Sequence, residues 1–216
     1  MQYHKFDGEF LHNLIRLDYD YKNECVLESG RPVRGVILGD SIIQYLQADA
    51  FFKADDILMR GINGETSAQV LSRLEMDVLQ FHPEFAVILC GINDTSALRG
   101  DAIWRVPAKS PEEITKEICR NLTEIVSVLN AHNIKPYVCS LLPSCVESFP
   151  ANDERNQIVC EVNDILKTLD CCYLDVYSRF TAPKELTNDG LHPNYSGYRI
   201  FADVLIENGL VEPADF

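Results

Sequence analysis

Five short apolar runs alternate with longer amphipathic segments along most of this 216-residue chain. A continuous apolar run such as 85–90 is typical of a strand that is buried on both faces. Strands that are separated by helices predict a parallel sheet covered by helices on both sides, with right-handed crossovers. The predicted strands are 33–38, 56–60, 85–90, 135–142 and 172–176, and the predicted helices are 41–52, 67–80, 111–132, 153–169 and 196–207.

The alternation begins only after Pro32, so the first part of the chain stands apart. We predict one α/β domain over 33–216, preceded by an extension over 1–32 that packs on it. Within the extension, the segment 10–15 predicts a short helix, packed either on the edge of the sheet or on a second subunit. The sequence leaves both alternatives open.

The formal charge of −14 limits the partners that we expect for this chain. Nucleic acids and anionic membrane surfaces need clustered Lys and Arg, and the sequence has no such cluster, so we expect neither. We also expect no signal peptide and no membrane span, because no apolar run is long enough. The eight cysteines contain no Cys-x-x-Cys pair, so we expect reduced thiols in the core of a cytoplasmic protein.

Polar and glycine-rich segments follow four of the five predicted strands. Ligands of parallel sheets bind at the carboxyl ends of the strands, so we expect these segments to meet on one rim of the sheet. The segments are Gly39-Asp40-Ser41 after the first strand, Gly61-Ile62-Asn63-Gly64 after the second, Gly91-Ile92-Asn93-Asp94 after the third, and Asp189-Gly190-Leu191-His192 between the fifth strand and the last helix.

Ser41, His192 and Asp189 are candidates for nucleophilic catalysis. A serine at a strand-to-helix turn can expose its hydroxyl, and its own N–H, with the helix dipole behind it, faces any negative charge that forms there. A histidine three residues after an aspartate can take the hydroxyl proton while the carboxylate orients the ring. The alternative is that Asp40 and Ser41 cap one helix and Asp189 caps the last one, with His192 a surface residue.

Gly64 and Asn93 are candidates for donors to an oxyanion. A glycine lets the backbone approach a ligand closely, and we assign Gly64 as the N–H donor and Gly61 as the turn residue. The Asn93 side-chain amide can stabilise a tetrahedral oxyanion, although a helix cap or an Asx-turn is an equally good explanation of this residue alone. Together with the Ser41 N–H, these groups predict an oxyanion hole.

The ordered set of segments resembles the SGNH subgroup of the GDSL esterase/lipase family over about residues 33–207. Gly39-Asp40-Ser41-Ile42 resembles the first block of the family, with Ser41 as the nucleophile, and Gly64 resembles the oxyanion glycine of the second block. Gly91-Ile92-Asn93-Asp94 matches the third block, with Asn93 as the oxyanion amide. Asp189-Gly190-Leu191-His192-Pro193 matches the fifth block, which supplies the remaining two residues of the triad.

This resemblance implies a flavodoxin-like three-layer α/β/α fold with strand order 2-1-3-4-5. It also implies ester hydrolysis through an acyl-enzyme, without a metal or an organic cofactor. The motifs do not specify the substrate class. The candidates are O-acetyl groups on carbohydrates, short acyl esters, thioesters and lysophospholipids. The absence of an apolar lid in the sequence favours small acyl esters, and we expect the loop 95–110, with Arg99, Trp104 and Arg105, to shape the pocket.

Two other functions remain as alternatives. A metal-dependent phosphoesterase could use the oxygen- and nitrogen-bearing side chains of the four segments, although His192 is the only histidine among them. A binding module without catalysis is the other, since fold does not fix function. The remaining histidines, at positions 4, 12, 82 and 132, have no comparable carboxylate in a loop bounded by glycine or proline, and we predict structural roles for them.

Overall fold

A five-stranded parallel sheet forms the centre of the computed structural model, which describes residues 8–100 and 107–215, with side chains from residue 12 onward. The strands are β1 (Gly35–Gly39), β2 (Ile57–Gly61), β3 (Phe85–Leu89), β4 (Lys135–Cys139) and β5 (Cys172–Leu174). With these five numbered alone, their order is β2-β1-β3-β4-β5, and this confirms the predicted order. A separate pair of two-residue strands, Phe52–Lys53 and Glu212–Pro213, is antiparallel and was not predicted.

The sheet is flanked by helices, which gives the predicted three-layer α/β/α arrangement. Every residue of β1 and of β3 is buried, as their continuous apolar sequences predict. The α-helices are α1 (Gly8–Ser29), α2 (Ser41–Gln44), α3 (Ser67–Ser72), α4 (Leu74–Asp77), α5 (Pro111–Ala131), α6 (Asn152–Leu166), α7 (Pro183–Leu186) and α8 (Tyr195–Glu207), and 3₁₀ turns occupy Ala48–Ala50, Leu79–Phe81, Asn93–Leu98 and Tyr177–Arg179.

The register of the sheet brings three strand ends to the same level. In the ladder, Gly39 of β1 lies beside Gly61 of β2 on one side and beside Leu89 of β3 on the other. The segments that follow these strands therefore leave the sheet side by side. This alignment is the structural basis for a common rim.

Two of the predicted helices are wrong in extent. The helix predicted over 41–52 ends at Gln44, because a continuous helix would put Phe51 about 180° away from Ile42, and both side chains are buried. The helix predicted over 67–80 is divided at Arg73 and Val78 into α3, α4 and a 3₁₀ turn. The backbone leaves helical geometry at Arg73, whose guanidinium reaches back to the carbonyl of Gly39.

The extension forms one helix of 22 residues, α1, instead of the short helix predicted over 10–15. No glycine or proline lies between Gly8 and Gly30, so nothing in the sequence ends the helix earlier. Gly30, at φ +62°, then ends it. Beside the edge strand β2, the Tyr19 hydroxyl of α1 donates to the Gly61 carbonyl.

The cysteines agree with the prediction only in part. All eight cysteines are free thiols, but only Cys90 and Cys139 are buried, whereas Cys25 and Cys160 are exposed and therefore lie outside the core.

The loop predicted over 95–110 is described only in part. Arg99 ends a 3₁₀ turn, while Trp104 and Arg105 lie outside the described residues. Across the described ranges, none of the helices combines the length and apolar character that crossing a bilayer requires.

Gly61→Ala tests the close contact between β2 and α2. A Cβ at this position would lie 2.1 Å from the Gln44 nitrogen and 2.7 Å from the Asp40 carbonyl oxygen, both of them backbone atoms. We expect the substitution to lower the free energy of unfolding by about 3 kcal/mol or more, as overpacking does. Urea denaturation measures the loss.

Gly30→Ala is the matched control. Open space surrounds Gly30, so its replacement should cost only about 1 kcal/mol, for the positive φ. Equal losses in the two variants would contradict a steric role for Gly61.

Candidate active site

A chain of hydrogen bonds joins Ser41, His192 and Asp189 at the rim of the sheet. His192 Nε2 lies 3.0 Å from Ser41 Oγ, and His192 Nδ1 lies 2.7 Å from Asp189 Oδ2. Ser41 is buried at the start of α2, while the His192 side chain is about one quarter exposed. The structure thus brings together the three residues that the sequence proposes as nucleophile, base and orienting acid.

Backbone contacts hold the loop that carries His192. The amide of Asn188 donates to the His192 carbonyl at 2.9 Å, and the amide of Cys145, from a separate segment, donates to the Gly190 carbonyl at 2.8 Å. The last helix, α8, is capped by the Asn194 side chain, not by Asp189 as the alternative proposed. Asp189 is consequently free to interact with the imidazole.

The Asp189 carboxylate is held in its ionised form. Partial burial would raise its pKa, but hydrogen bonds from the His192 amide, the His192 ring and the Leu191 amide outweigh burial and lower the pKa. The carboxylate oxygens have separate partners, since Oδ1 accepts from the two amides and Oδ2 contacts the ring. This arrangement favours a proton on Nδ1 and leaves Nε2 to face Ser41.

The turn before Ser41 has a different electrostatic basis from the one predicted. Asp40 Oδ1 caps α2 by accepting from the Ile42 amide at 2.9 Å, so the capping interpretation of Asp40 is correct. Because α2 has only four residues, it supplies a much smaller dipole than the predicted twelve-residue helix. Any anion stabilisation at Ser41 must therefore come from individual N–H groups rather than from a long helix.

Gly61 and Gly64 have roles that differ from the prediction in one respect. Gly64 is exposed and has φ +79°, so it carries the turn. Within the part of the chain that the structure describes, no atom outside its neighbours lies within 4 Å of where its Cβ would be. Gly61 was predicted to be the turn residue, but its φ is not positive. It is a close-packing residue, because α2 begins against it.

Asn93 and Asp94 attach the segment after β3 to the segment after β2. Asn93 Nδ2 donates to the Glu65 carbonyl at 3.0 Å, which uses one of its two N–H groups and leaves the other for a ligand. Asp94 accepts from the Ser67 amide at 2.8 Å and from the Ser67 hydroxyl at 2.6 Å. These contacts orient the Asn93 amide at the rim, so Asn93 is not a cap residue.

Tyr45, Glu65 and Ser67 belong to the site although the sequence did not indicate them. The Tyr45 ring packs edge-on against the His192 imidazole, with 5.3 Å between centroids. Glu65 and Ser67 anchor the side chains of the segment after β3. Each contact joins residues that are distant in sequence, so no local pattern could have revealed it.

A metal-dependent phosphoesterase would need several ligand side chains close together. Among the side chains of residues 12–100 and 107–215, no three from His, Cys, Asp or Glu converge as candidate ligands for a metal ion. Asp94 is directed to Ser67, and Asp189 to His192.

Comparison with known proteins places the chain in a family. The sequence model of the GDSL-like lipase/acylhydrolase family matches residues 37–200. The chain therefore belongs to this family of lipases and acylhydrolases, and it is a carboxylic ester hydrolase. The comparison with curated protein sequences found no match.

Solved structures share the fold. A GDSL-like lipase from Bacteroides thetaiotaomicron has 23% identity and a TM-score of 0.68, over 89% of this chain and 97% of that one. The acetyl xylan esterase AlAXEase has 20% identity and a TM-score of 0.64, over 82% and 99%. Axe2, an acetylxylan esterase from Geobacillus stearothermophilus, has 20% identity and a TM-score of 0.61, over 80% and 92%.

Asp40→Asn tests an unusual carboxyl group beside Ser41. Asp40 Oδ2 is buried, and no donor among the described residues bonds to it. Burial raises the pKa of Asp40 to about 7, assisted by the nearby charges of Asp94 and Glu65 and opposed by the Ile42 amide and Arg73. The protonated acid is close in shape to asparagine, so Asp40→Asn mimics it at every pH.

The expected effect on stability has a defined sign. A carboxyl with a raised folded-state pKa costs stability as the pH rises from its unfolded pKa, near 3.8, to its folded pKa of about 7. Relative to Asp40→Asn, the wild type should lose up to about 4 kcal/mol of unfolding free energy over this range, and no more above it. Urea denaturation across the range measures it, and parallel pH profiles would contradict the assignment.

Proposed function

We propose that this ester hydrolase acts through a Ser41–His192–Asp189 triad and an acyl-enzyme. The observation that carries the proposal is the continuous hydrogen-bonded chain from Ser41 Oγ through the imidazole to the Asp189 carboxylate. The 3.0 Å contact at Nε2 is within the range for proton transfer from the hydroxyl. The carboxylate fixes the tautomer and stabilises the imidazolium that forms.

The reaction has two half-steps. His192 Nε2 takes the Ser41 proton while Oγ attacks the ester carbonyl, and the resulting tetrahedral intermediate expels the alcohol, which receives that proton from the imidazolium. Water then attacks the acyl-enzyme with His192 again as the base, and collapse of the second intermediate returns the proton to Ser41 and releases the acid.

The oxyanion in both intermediates is stabilised by three donors in this proposal. They are the backbone N–H groups of Ser41 and Gly64 and the free N–H of the Asn93 side chain. The open surroundings of Gly64 support its role, because a ligand atom can reach its amide without meeting a side chain. The contact between Asn93 and the Glu65 carbonyl supports a preorganised amide, which is the form that stabilises developing charge.

We propose small acyl esters as the substrates, with O-acetyl groups on carbohydrates as the first class to examine. Two of the structures with the same fold are acetylxylan esterases, and this supports an acetyl ester more than a long-chain lipid. The cytoplasmic location and the absence of nucleic-acid and membrane partners stay predictions from composition. Acetylated xylo-oligosaccharides and a series of p-nitrophenyl esters of increasing chain length test the substrate class.

Hydrolysis of p-nitrophenyl acetate by the purified protein tests the proposed chemistry. We expect turnover that persists in EDTA and is abolished by a serine-reactive fluorophosphonate, with covalent labelling at Ser41. Loss of turnover in EDTA, without labelling, would favour the metal-dependent alternative. If the protein shows no turnover and is not labelled, the result would favour a binding module.

Ser41→Ala should remove turnover while leaving the fold intact. We expect a loss of about 10⁴-fold or more in kcat, because the covalent route is closed. Ser72→Ala is the matched control, since Ser72 is an exposed helical serine bonded only to the Gln69 carbonyl. Unchanged hydrolysis by a clean Ser41→Ala preparation would overturn the proposal.

Asn93→Ala should lower kcat by about 10²- to 10³-fold with a smaller change in KM, because the lost donor acts mainly on the transition state. Asn13→Ala, at an exposed position of α1, controls for the loss of an amide. Steady-state kinetics on p-nitrophenyl acetate separate the two parameters. A rise in KM with unchanged kcat would assign Asn93 to substrate binding instead.

A further inference from the structure

The helix α1 presents a polar face to the domain. Four side chains on α1 recur at intervals of four, three and four residues, which places them on one side of a helix, and each of them hydrogen-bonds to the domain. They are His12, Arg16, Tyr19 and Asn23. An apolar side chain on the opposite side, Leu17, is 64% exposed. The inner face of α1 therefore makes specific polar contacts where an apolar packing face is usual.

Two of these contacts lie on either side of Gly64. The Tyr19 hydroxyl donates to the Gly61 carbonyl at 2.8 Å, and His12 Nε2 lies 2.8 Å from Glu65 Oε1. The Glu65 carbonyl in turn accepts from the Asn93 amide. The helix thus holds both ends of the turn that carries one proposed oxyanion donor, and it reaches a second donor through one residue.

The Glu65 side chain is only 1% exposed, so its carboxylate needs hydrogen-bond donors within the protein. Arg73 Nε donates to Glu65 Oε2 at 2.6 Å, so His12 and Arg73 each take one carboxylate oxygen. Arg73 also donates to the Gly39 carbonyl, two residues before Ser41. Loss of His12 would leave Glu65 Oε1 without this donor at a buried position, although Arg73 still pairs with Oε2, and a buried acceptor that loses its donor costs stability, so the turn should respond.

Arg16 supports the same network from the next turn of α1. Its guanidinium donates to both oxygens of Asp77, at 2.6 and 2.8 Å, and Arg73 donates to Asp77 at 2.5 Å. Burial would raise the pKa of Asp77, but the two guanidinium groups outweigh it and lower the pKa. Asp77 thus joins α1 to α4 through a buried carboxylate that two guanidinium groups share.

We propose that α1 is a positioning element of the active site, in which His12 and Tyr19 hold the turn 61–65 so that the Gly64 N–H and the Asn93 amide stay aligned for the oxyanion. This inference rests on the proposed function of Ser41, Gly64 and Asn93. The helix lies outside residues 37–200, which the family shares, so the device belongs to the extension of this chain. His12 then has more than the structural role that the sequence predicts for it.

Three substitutions on α1 and one control test the inference. Complete loss of an oxyanion donor costs about 10²- to 10³-fold in kcat, so a loosened turn should cost about 3- to 30-fold, in His12→Ala and in Tyr19→Phe alike. KM should change less than about twofold, because ground-state binding is not the property affected. His12→Gln, whose amide can also donate to Glu65, should recover most of the activity, and Leu17→Ala should be unchanged.

A double-mutant comparison separates positioning from a general structural effect. If His12 acts through both oxyanion donors, His12→Ala should cause a smaller fold-loss in kcat when Asn93 is already alanine, because only the Gly64 N–H is then left for the loosened turn to displace. Equal fold-losses in the two backgrounds would overturn the inference. Should His12→Ala fail to fold, Tyr19→Phe removes only a hydroxyl and allows the same comparison.

Amide hydrogen exchange provides a measurement that does not depend on activity. In His12→Ala, the amides of 62–66 should exchange about tenfold faster than in the wild type, while those of β3 keep their protection. Unchanged exchange in the turn would overturn the inference even if kcat falls.

The two proposals fail in different ways. A wild type without Ser41-dependent turnover overturns the proposed function, and the catalytic role of α1 with it. If turnover depends on Ser41 but His12→Ala and Tyr19→Phe keep the wild-type kcat, only the proposed role of α1 is overturned.

Discussion

The level ends of three neighbouring strands are the constraint on which the rest of this site depends. The parallel ladder puts Gly39 beside both Gly61 and Leu89, so the chain leaves β1, β2 and β3 at one height. Glycine at 39 lets β1 lie close to β3, since a Cβ there would meet the Leu89 carbonyl oxygen at 2.2 Å, and glycine at 61 lets β2 lie against α2, since a Cβ there would meet the Gln44 nitrogen at 2.1 Å. A bulkier residue there would move Ser41 relative to the other rim residues, and the hydrogen bond to His192 tolerates little movement.

Polar contacts between the rim segments then fix what the ladder aligns. Asn93 donates to the Glu65 carbonyl and Asp94 accepts from Ser67, so side-chain hydrogen bonds join the segments after β2 and β3. The unpartnered oxygen of Asp40 is the cost of building a tight turn at the buried start of α2. A carboxyl group with one such oxygen lowers stability at neutral pH, and it lies directly before Ser41, the proposed nucleophile.

The extension adds a layer of support to the family's domain. Its helix contacts the turn around Gly64 through one hydroxyl and one imidazole, and contacts α4 through a guanidinium. Buried ionic groups such as Glu65 and Asp77 contribute little net stability, but they define one arrangement because each oxygen requires a particular donor. Specific polar contacts of this kind are suited to holding the turn around Gly64 in one position.

Local sequence determined the strands and indicated the residues of the candidate site, because burial on both faces and turn geometry restrict which residue types can occupy those positions. The strand order was implied by the resemblance to the family. Ser41 and His192 could be named as partners although 151 residues separate them, since each lies in a short motif with its own chemistry. Tertiary structure alone decided that α2 stops after four residues, that Gly61 packs closely while Gly64 makes the turn, and that His12 meets Glu65. The physical reason is that these features depend on contacts between distant segments, and such contacts exist only once the sheet has brought the segments together.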